Sequence, residues 1–461
     1  IPLLESQINF WIHSGSPETG FCGNSLPLSF TRVSIEDLTP VCDTARLRCQ
    51  PTNTTVVPYG VEKHVFECVV DFRVDPYKTL INNTTCCAVT FAFGHCCRNG
   101  AITTGASSQD FTTYGTLNLC ELDGACNSSP VFSNPPIFYT CCNQPYRFNH
   151  GLIDTSDQDS VVFELAPPLQ TVTKPNTFGS KFSYKYPVTP YCKQPGTINC
   201  QPDPNAAIPE GFFFNPMNGD MVYTPTDCSE TAIMAILATE YRKIGGTWKK
   251  VGSTRRDMQV QVLNCTQNII PSFSGVFDTC VEEGDTLILE IQTSDSLVGQ
   301  QTRGDSLSMD WNGGIKGASF SVGNGKHPTA VFRWVVPAGS SRHYPYVFSV
   351  HAKDNNCPMY SESYRGVRVW VGHCDELLAQ EEHELPAWHL SPNPVRPGGH
   401  SHLSVPTNEH ILLRDRSGRT VHTGMARSGE IPIPPGIQPG VYTLELSYRG
   451  KHGFQTLLIG D

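Results

Sequence analysis

One short loop carries the residues that are best suited to bind a ligand. Asp154, Asp157 and Asp159 alternate with small polar residues in the run Asp-Thr-Ser-Asp-Gln-Asp. Carboxylate oxygens at alternating positions suit calcium, which can stiffen the junctions between extracellular β modules. The run lacks the glycine and the final glutamate of an EF-hand, so an Asx-rich turn that caps a hairpin is the favoured alternative. Calcium is therefore the one cofactor that the sequence suggests.

A second group of charged residues is expected on two neighbouring strands. Its members are one glutamate, three arginines and one aspartate, namely Glu240, Arg242, Arg255, Arg256 and Asp257. Opposite charges that face each other on paired strands stabilise the pairing. We therefore expect cross-strand ion pairs here, with a binding site as the less favoured alternative.

No arrangement typical of an enzyme is found. The chain has neither a Gly-x-Ser-x-Gly elbow nor a His-Glu-x-x-His helix. In His383-Glu384-Leu385-Pro386 the proline stands where a metal-binding helix would have to continue. The 15 histidines are scattered, and carboxylate pairs are too common in loops to indicate a glycosidase. The sequence predicts a protein without enzymatic activity, and a secreted hydrolase is the least favoured alternative.

Cysteine usage indicates an oxidising compartment. All 19 cysteines precede residue 375, and several are adjacent doublets, which do not match the paired spacing of zinc ribbons. A disulfide framework is the favoured interpretation, and the odd count leaves one thiol unpaired or paired outside this chain. The disulfide candidates are Cys22, Cys42, Cys49, Cys68, Cys86, Cys87, Cys96, Cys97, Cys120, Cys126, Cys141, Cys142, Cys192, Cys200, Cys228, Cys265, Cys280, Cys357 and Cys374.

The overall composition points to many short strands. Glycine (39) and proline (36) are frequent, whereas only 16% of the 461 residues are charged. A net charge of −10 without a Lys/Arg cluster argues against a nucleic-acid partner. No apolar run approaches the roughly 18 residues that span a bilayer, so no transmembrane segment is expected. Because Ile1 is not an initiator residue, we also expect an upstream segment that was removed or is missing.

Period-two alternation and turn signals divide the chain into β regions. Residues 1–168 read as a cysteine-rich β domain, and residues 169–265 read as a β-sandwich. The segment 231–241 fits either a helix or a strand. We expect a strand, because residues 256–262 beyond the Gly245-Gly246 turn make a natural hairpin partner.

The remaining chain reads as two further modules. Regularly spaced strands over 266–374 predict an immunoglobulin-like sandwich. A Glu-rich linker is expected at 375–388. A β tail then occupies 389–461, where Pro392-Asn393-Pro394 breaks the chain and Val441 to Leu446 alternates strictly. The predicted fold class is all-β, with tandem disulfide-rich immunoglobulin-like sandwiches.

The tail resembles the C-terminal sorting domain of type IX secretion cargo in Bacteroidota. The resemblance rests on an ordered set of features: the Pro-Asn-Pro break, the turn Asp415-Arg416-Ser417-Gly418-Arg419, the Pro439-Gly440 turn and strand, and a final apolar strand from Phe454. It implies export across the outer membrane to the cell surface, with the type IX machinery as a partner through residues 389–461. A generic small β-sandwich is the alternative.

The upstream chain is similar to a family of large Bacteroidota surface proteins with cadherin-like and polycystic-kidney-disease-like modules. The similarity lies in the order of short motifs, which begins at Cys96-Cys97-Arg98-Asn99-Gly100 and passes through Asn127, Asn149-His150-Gly151 and Glu240-Tyr241-Arg242 to Asp354. In that family a further strand normally precedes the position of Ile1. The resemblance therefore implies an incomplete first sandwich with an open sheet edge.

The same resemblance suggests modification by O-glycans. Five short runs resemble the O-glycosylation motif of that phylum, each with an aspartate before the acceptor. The acceptor candidates are Thr44, Ser160, Thr286, Ser296 and Ser306. The motif is short, and a buried copy would not be modified.

These observations predict a non-enzymatic extracellular structural protein. An open sheet edge exposes unpaired N–H and C=O groups, which a strand of another copy could satisfy, so the chain is expected to polymerise with itself into surface filaments or a matrix. The alternative is a monomeric adhesin or glycan-binding protein, in which exposed aromatic residues such as Trp311 or Tyr360 contact the ligand.

Overall fold

The computed structural model is almost entirely β, with 52% of residues in strands. Among the described residues no helix is long and apolar enough to cross a membrane. The structure describes residues 8–42, 60–81, 86–120, 126–136, 139–154, 159–265, 268–295, 305–372, 374, 390–391, 395–403, 410–414, 420–448 and 451–459. The chain divides into two compact units, Ile1–Trp370 and Val371–Asp461.

The first part of the larger unit contains many short strands and two long ones. One short helix, α1 (Tyr77–Ile81), lies between the fourth and fifth strands. The strands are β1 (Ile8–Ser16), β2 (Gly20–Pro27), β3 (Thr31–Asp37), β4 (Glu62–Glu67), β5 (Ala88–His95), β6 (Phe111–Asn118), β7 (Val131–Phe132), β8 (Tyr139–Cys141), β9 (Tyr146–Phe148), β10 (Leu152–Ile153), β11 (Ser160–Ala166), β12 (Leu169–Thr171), β13 (Lys174–Pro175), β14 (Phe213–Phe214), β15 (Met221–Tyr223), β16 (Thr231–Ile244) and β17 (Thr247–Leu263).

A ten-stranded sheet dominates this part. Its main path runs β11-β16-β17-β6-β5-β1-β2, and β8, β12 and β13 join at the side. The boundary expected at residue 168 falls inside this sheet, because β11 pairs with β16 and β6 pairs with β17. The segments 1–168 and 169–265 therefore contribute strands to one sheet and do not form two separate sandwiches.

The longest hairpin of the molecule connects β16 and β17. Gly245 and Gly246 have φ values of 59° and 82°, and two successive positive φ angles match the tight turn that joins antiparallel strands. Ile244 pairs with Thr247 directly across this turn. The strand expected over 231–241 is thus confirmed. Its first ten residues are all buried, which explains why alternation alone left helix and strand unresolved.

The last part of the larger unit is an immunoglobulin-like sandwich of two four-stranded sheets. The sheet orders are β18-β20-β23-β22 and β19-β25-β24-β21. In chain order these are the ABED and A′GFC arrangements of that fold. The strands are β18 (Ser272–Gly275), β19 (Asp278–Val281), β20 (Thr286–Ser294), β21 (Leu307–Trp311), β22 (Ser319–Val322), β23 (Thr329–Val335), β24 (Tyr346–Asp354) and β25 (Glu362–Val371).

Aromatic rings from both sheets fill the centre of this sandwich. Phe332 and Phe348 stack at 4.3 Å between ring centroids. Trp311 contacts both rings, at 5.6 and 5.7 Å. Trp311 is half-buried, and these edge-on ring contacts favour its packing against the sandwich interior. Its role as a ligand contact stays a prediction.

The smaller unit is a separate sandwich of three and four strands. The sheet orders are β26-β27-β30 and β29-β28-β31-β32. Buried apolar residues such as Ile411, Leu444 and Leu457 form its core. The strands are β26 (Leu390–Ser391), β27 (His400–Leu403), β28 (His410–Arg414), β29 (Thr420–Met425), β30 (Glu430–Pro432), β31 (Gly440–Tyr448) and β32 (Lys451–Ile459). The alternating strand expected at 441–446 lies in β31, whereas the turn at 415–419 and the linker at 375–388 lie outside the described residues.

Disulfides tie the larger unit together. Their closed loops differ widely in length, from adjacent residues to a separation of 315. The bonded pairs are Cys22–Cys86, Cys42–Cys357, Cys87–Cys120, Cys96–Cys97, Cys141–Cys265, Cys142–Cys228 and Cys192–Cys200, and Cys280 and Cys374 are also disulfide-bonded. The other two cysteines in the described ranges, Cys68 and Cys126, carry free, exposed thiols. Cys49 lies outside those ranges.

Candidate functional site

Strand pairing at one edge of the ten-stranded sheet gathers three carboxylates. Asp154 follows β10, and Asp159 directly precedes β11. The pairing of β11 with β16 places Val161 opposite Glu240, so Glu240 comes close to both aspartates. One oxygen of each carboxylate lies within 4.8 Å of the others. The structure thus brings together two of the three predicted calcium ligands, and Asp157 lies outside the described residues.

Arg242 forms hydrogen bonds to one of the three carboxylates and to the neighbouring Asn127. The Arg242 guanidinium donates from Nε to Asp159 Oδ1 at 2.7 Å and from a terminal nitrogen to Oδ2 at 2.8 Å. It also donates to the Cys126 carbonyl and to Asn127 Oδ1, both at 2.8 Å. Such a two-pronged contact is the strongest arginine–carboxylate geometry. Arg242 therefore compensates the charge of Asp159 and orients Asn127.

Glu240 is the least compensated of the three carboxylates. The residue is fully buried, and its Oε2 has no hydrogen-bond partner within the described structure. Its Oε1 accepts one hydrogen bond, from Asn127 Nδ2 at 3.3 Å. Burial, and then the negative charges of Asp159 and Asp154, raise the pKa of Glu240 to about 8 against the lowering by Asn127 and Arg242. At neutral pH this carboxyl group therefore carries a proton most of the time.

A glycine on the next strand makes room for Glu240. Gly252 pairs with Glu240 where the register shifts by one residue, and such bulges often re-aim side chains beside functional sites. A Cβ atom on Gly252 would lie 2.5 Å from Glu240 Oε2 and 3.1 Å from the Thr116 carbonyl oxygen. The absence of a side chain at this position therefore shapes the carboxylate cluster.

The expected cross-strand charge group separates into several environments. Asp257 does not pair with its strand neighbours, because Arg98 from a distant loop grips it with two hydrogen bonds of 2.9 and 2.7 Å. The Arg256 guanidinium lies 5.2 Å from the centre of the Phe132 ring and donates to a backbone carbonyl. Arg255 donates to the Pro167 carbonyl and lies over the Tyr114 ring. The prediction of cross-strand ion pairs is wrong here, since each partner comes from a loop or an aromatic ring.

An open groove continues from the carboxylates toward the immunoglobulin-like sandwich. It has a volume of about 530 Å³ and is lined by Asp154, Asp159, Trp334, Arg342 and Tyr344, among others. The Arg342 guanidinium lies 4.2 Å from the Tyr344 ring centre and 3.5 Å from the Tyr346 ring centre. Arginine held against aromatic rings beside carboxylates is a surface that can bind a polar ligand.

A two-stranded ribbon lies apart from the other sheets. It pairs β3 with β4, and every residue of β3 is exposed. Val33 and Ile35 are 50% and 52% exposed. Near the base of the ribbon, the Cys42–Cys357 disulfide and the backbone bridge between Val41 and Met359 attach the chain to the immunoglobulin-like sandwich. The ribbon is therefore an anchored arm whose exposed strand carries the apolar side chains of Val33 and Ile35.

The glycosylation candidates differ in accessibility. Thr286 and Ser306 are exposed, whereas Ser160 is half-buried in β11. Thr44 and Ser296 lie outside the described residues. Among the described candidates, Thr286 and Ser306 are thus the exposed ones, and the modification of all five stays a prediction.

The fold and its crosslinks define a disulfide-rich all-β protein with immunoglobulin-like modules. No family model matches the chain, and no curated protein matches it. It aligns with the ectodomain of mouse nectin-like molecule 4 at a TM-score of 0.19 and 13% identity, over 71% of this chain and 98% of that chain. The alignment with mouse protocadherin-24 EC1-3 has a TM-score of 0.18 and 12% identity, over 62% and 80%. Similarity this low carries no argument, so the assignment rests on strand order.

Proposed function

We propose that this chain is a non-enzymatic structural protein of an extracellular surface, and that copies of it assemble into filaments or a matrix through β-strand contacts. The observation that carries the proposal is the exposed ribbon strand β3. In the described part of the structure β3 pairs only with β4. Its outer edge therefore offers backbone N–H and C=O groups to another strand.

The ribbon has features that favour a partner. An isolated two-stranded ribbon is marginally stable in water and gains stability from a third strand or a packed face. Val33 and Ile35 leave about half of their surfaces in water, and burying them on a neighbouring copy would stabilise the contact. Because the disulfide at Cys42 fixes the ribbon base, little conformational freedom is lost when the strand docks.

A receiving surface exists on the same unit. An apolar groove of about 690 Å³ crosses β1, β5 and β6 and is lined by Phe10, Phe66, Phe72, Phe91 and Phe93, among others. The proposed occupant is the ribbon of a second copy. Because Phe66 belongs to β4, the groove adjoins the base of the ribbon. A ribbon that docks in the groove of a neighbouring copy extends into a fibre unless the contact is reciprocal and closes on itself.

Electron microscopy and sedimentation of the purified chain test the proposal. Replacing Val33 and Ile35 together with lysine should abolish assembly, because two charges would then have to enter the groove. Ile288→Lys is the matched control, since Ile288 is 58% exposed on β20 of the immunoglobulin-like sandwich. Filaments that persist in the double variant, or a wild-type chain that stays monomeric at high concentration, would refute the proposal.

The tail supplies the proposed route to the surface. We propose that residues 389–461 act as a type IX sorting domain, which is supported by the ordered motifs at Pro392-Asn393-Pro394 and Pro439-Gly440. A reporter fused to 389–461 should reach the medium or the cell surface of a bacterium that has this pathway. Equal export from a strain without the pathway would show that the tail is an ordinary β-sandwich.

A second candidate function is glycan binding in the groove beside Arg342. The observation that favours it is the Arg342 guanidinium, which lines this groove and lies against the Tyr344 and Tyr346 rings. Arginine and aromatic side chains bind sugar hydroxyls and carboxylates readily. A glycan array should show a ligand that Tyr344→Ala loses, and a blank array would leave assembly as the sole proposal.

A further inference from the structure

We propose that Asp154, Asp159 and Glu240 form a calcium site at the paired edge of β11 and β16. The calcium ligands suggested by the sequence were three aspartates of one loop. The structure adds a ligand from a different strand, and that residue changes how the site would work. The inference is independent of assembly through the ribbon.

The buried Glu240 oxygen points to a ligand. Carboxylates that are fully buried are normally paired or bound to a metal, because an unsatisfied charge in the interior is costly. Glu240 is 0% exposed, and its Oε2 has no partner in the described structure. Its carboxylate lies within 4.8 Å of ligand oxygens on Asp154 and Asp159. An oxygen without a partner beside two further carboxylates is the arrangement that a cation would complete.

The local charges leave room for a divalent cation. Arg242 is bound to Asp159 by two hydrogen bonds, and Arg342 lies close enough to act electrostatically on Asp154. Within the described structure Glu240 accepts a hydrogen bond from the neutral Asn127 side chain. Asp154, Asp159 and Arg242 act electrostatically on Glu240, whereas Arg342 acts on Asp154 and Tyr344 acts on Asp159. A cation bound by all three carboxylates would supply the compensation that Glu240 lacks.

The ligand atoms select a hard cation of calcium size. All three groups are carboxylates, which suit calcium, magnesium and manganese and not the softer metals. Calcium binds oxygens at about 2.3–2.6 Å, so two oxygens on opposite sides of the ion are about 4.6–5.2 Å apart. The three carboxylate oxygens lie within 4.8 Å of one another, which is close enough for one ion to contact all three. Calcium also tolerates irregular ligand positions, whereas magnesium demands near-octahedral geometry.

A proton competes with the cation for Glu240, because only an ionised carboxylate binds calcium. The calcium affinity should therefore fall as the pH is lowered, and binding should release protons where the carboxylates are partly protonated.

Calorimetric titration of the full chain with calcium chloride tests the site. Titrations at pH 7 in two buffers of different ionisation enthalpy measure proton release, and titrations from pH 6 to 9 measure the affinity. Glu240→Gln should lower the affinity at pH 9 at least tenfold and abolish proton release. Glu164→Gln is the matched control, because Glu164 is an exposed residue of β11, and it should behave as the wild type.

Two outcomes would overturn the inference. One is the absence of calcium binding at pH 9, which would mean that Glu240 is a buried neutral acid without a cation. The other is binding that Glu240→Gln and Asp154→Asn leave unchanged, which would place calcium elsewhere. Circular dichroism and thermal unfolding of each variant in chelator show whether it is folded, so that a loss of binding is not mistaken for a loss of structure.

Discussion

Two groups of buried charge on the same sheet hairpin differ in how they are compensated. On β17, Asp257 meets the Arg98 guanidinium in two hydrogen bonds, and the side chains are 2% and 5% exposed. On β16, Glu240 shares its surroundings with Asp154 and Asp159, and Arg242 is bound to Asp159. In the first group one cation matches one anion. In the second, Glu240 Oε2 has no hydrogen-bond partner within the described structure.

This difference separates a structural ion pair from the proposed calcium site. Arg98 also donates to Asn176 at 3.0 Å and lies 4.8 Å from the centre of the Phe111 ring, so its donors are used inside the protein. An ion pair whose charges match and whose donors are all hydrogen-bonded requires no bound ligand to compensate it. Removing one partner leaves an uncompensated charge. The unmatched group is tolerated by holding a proton on Glu240, and a proton can be exchanged for a metal ion.

The largest effect is expected from breaking the matched pair. Asp257→Asn removes the charge that compensates the buried Arg98, so the free energy of unfolding should fall by about 3–5 kcal/mol. Denaturant unfolding measures the change. Calcium affinity should stay at the wild-type value in this variant. An unfolding transition that does not move would show that Arg98 is compensated by other groups.

A smaller loss of stability is expected when a side chain at position 252 occupies the space next to Glu240. In Gly252→Ala the new methyl would lie 2.5 Å from Glu240 Oε2, and overpacking of this kind costs about 1–3 kcal/mol. The same change should weaken calcium binding, because the carboxylate has to move. Gly436→Ala is a suitable control, since its Cβ would meet nothing within 4 Å. Wild-type stability and affinity in Gly252→Ala would show that Glu240 has space to relocate.

Removing the Glu240 carboxyl should raise the stability of the chain, whereas the two preceding substitutions should lower it. Glu240→Gln removes the carboxyl whose ionisation is unfavourable in the folded state, so it should stabilise the calcium-free chain at pH 9. Unfolding in chelator measures this gain. A glutamine that destabilises at pH 9 would mean that the Glu240 carboxylate is satisfied without a metal ion.

The smallest effect is expected at the exposed control position. Glu164→Gln changes a solvent-exposed residue of β11 next to the paired edge, and substitutions of this kind usually stay within about 0.5 kcal/mol. Neither unfolding nor calcium binding should change. A clear effect on binding would extend the ligand set beyond the three carboxylates.

The sequence predicted the elements better than the site. The β16–β17 hairpin followed from the Gly245-Gly246 turn and from the strand partner beyond it, and the sandwich of 266–374 followed from regularly spaced strands. The role of Glu240 could not be read in the same way. Residues 231–240 are buried on both faces, so alternation does not distinguish a polar face. Only the pairing of β11 with β16 shows that Glu240 meets the Asp154 loop.

Disulfides and ion pairs between residues far apart in the chain also could not be predicted from the sequence. Cys42 bonds Cys357 across 315 residues, and no local spacing indicates that partner. Arg98 and Asp257 belong to motifs that the sequence placed in order, yet their contact depends on the path of the whole sheet. The acidic loop did give a usable signal, because two of its aspartates lie where the carboxylates gather.

The pH dependence of stability tests the contrast between the two groups most directly. Because the pKa of Glu240 is raised from 4.5 to about 8 on folding, the folded chain binds more protons between these values, and its stability must fall as pH rises through that window. Other groups titrate as well. Burial lowers the pKa of His351, for example, but hydrogen bonds to Asp310 and Glu362 outweigh burial and raise it to about 9.

The difference between two chains isolates Glu240 from these other groups. Unfolding free energies of the wild type and of Glu240→Gln should be measured in chelator at each pH from 5 to 9. We predict that the unfolding free energy of the variant, relative to that of the wild type, rises steadily up to pH 8 and levels off above it. Adding calcium should remove this difference in stability. If the unfolding free energies of the two chains change in parallel over the whole pH range and calcium does not alter their difference, Glu240 does not have the role proposed for it.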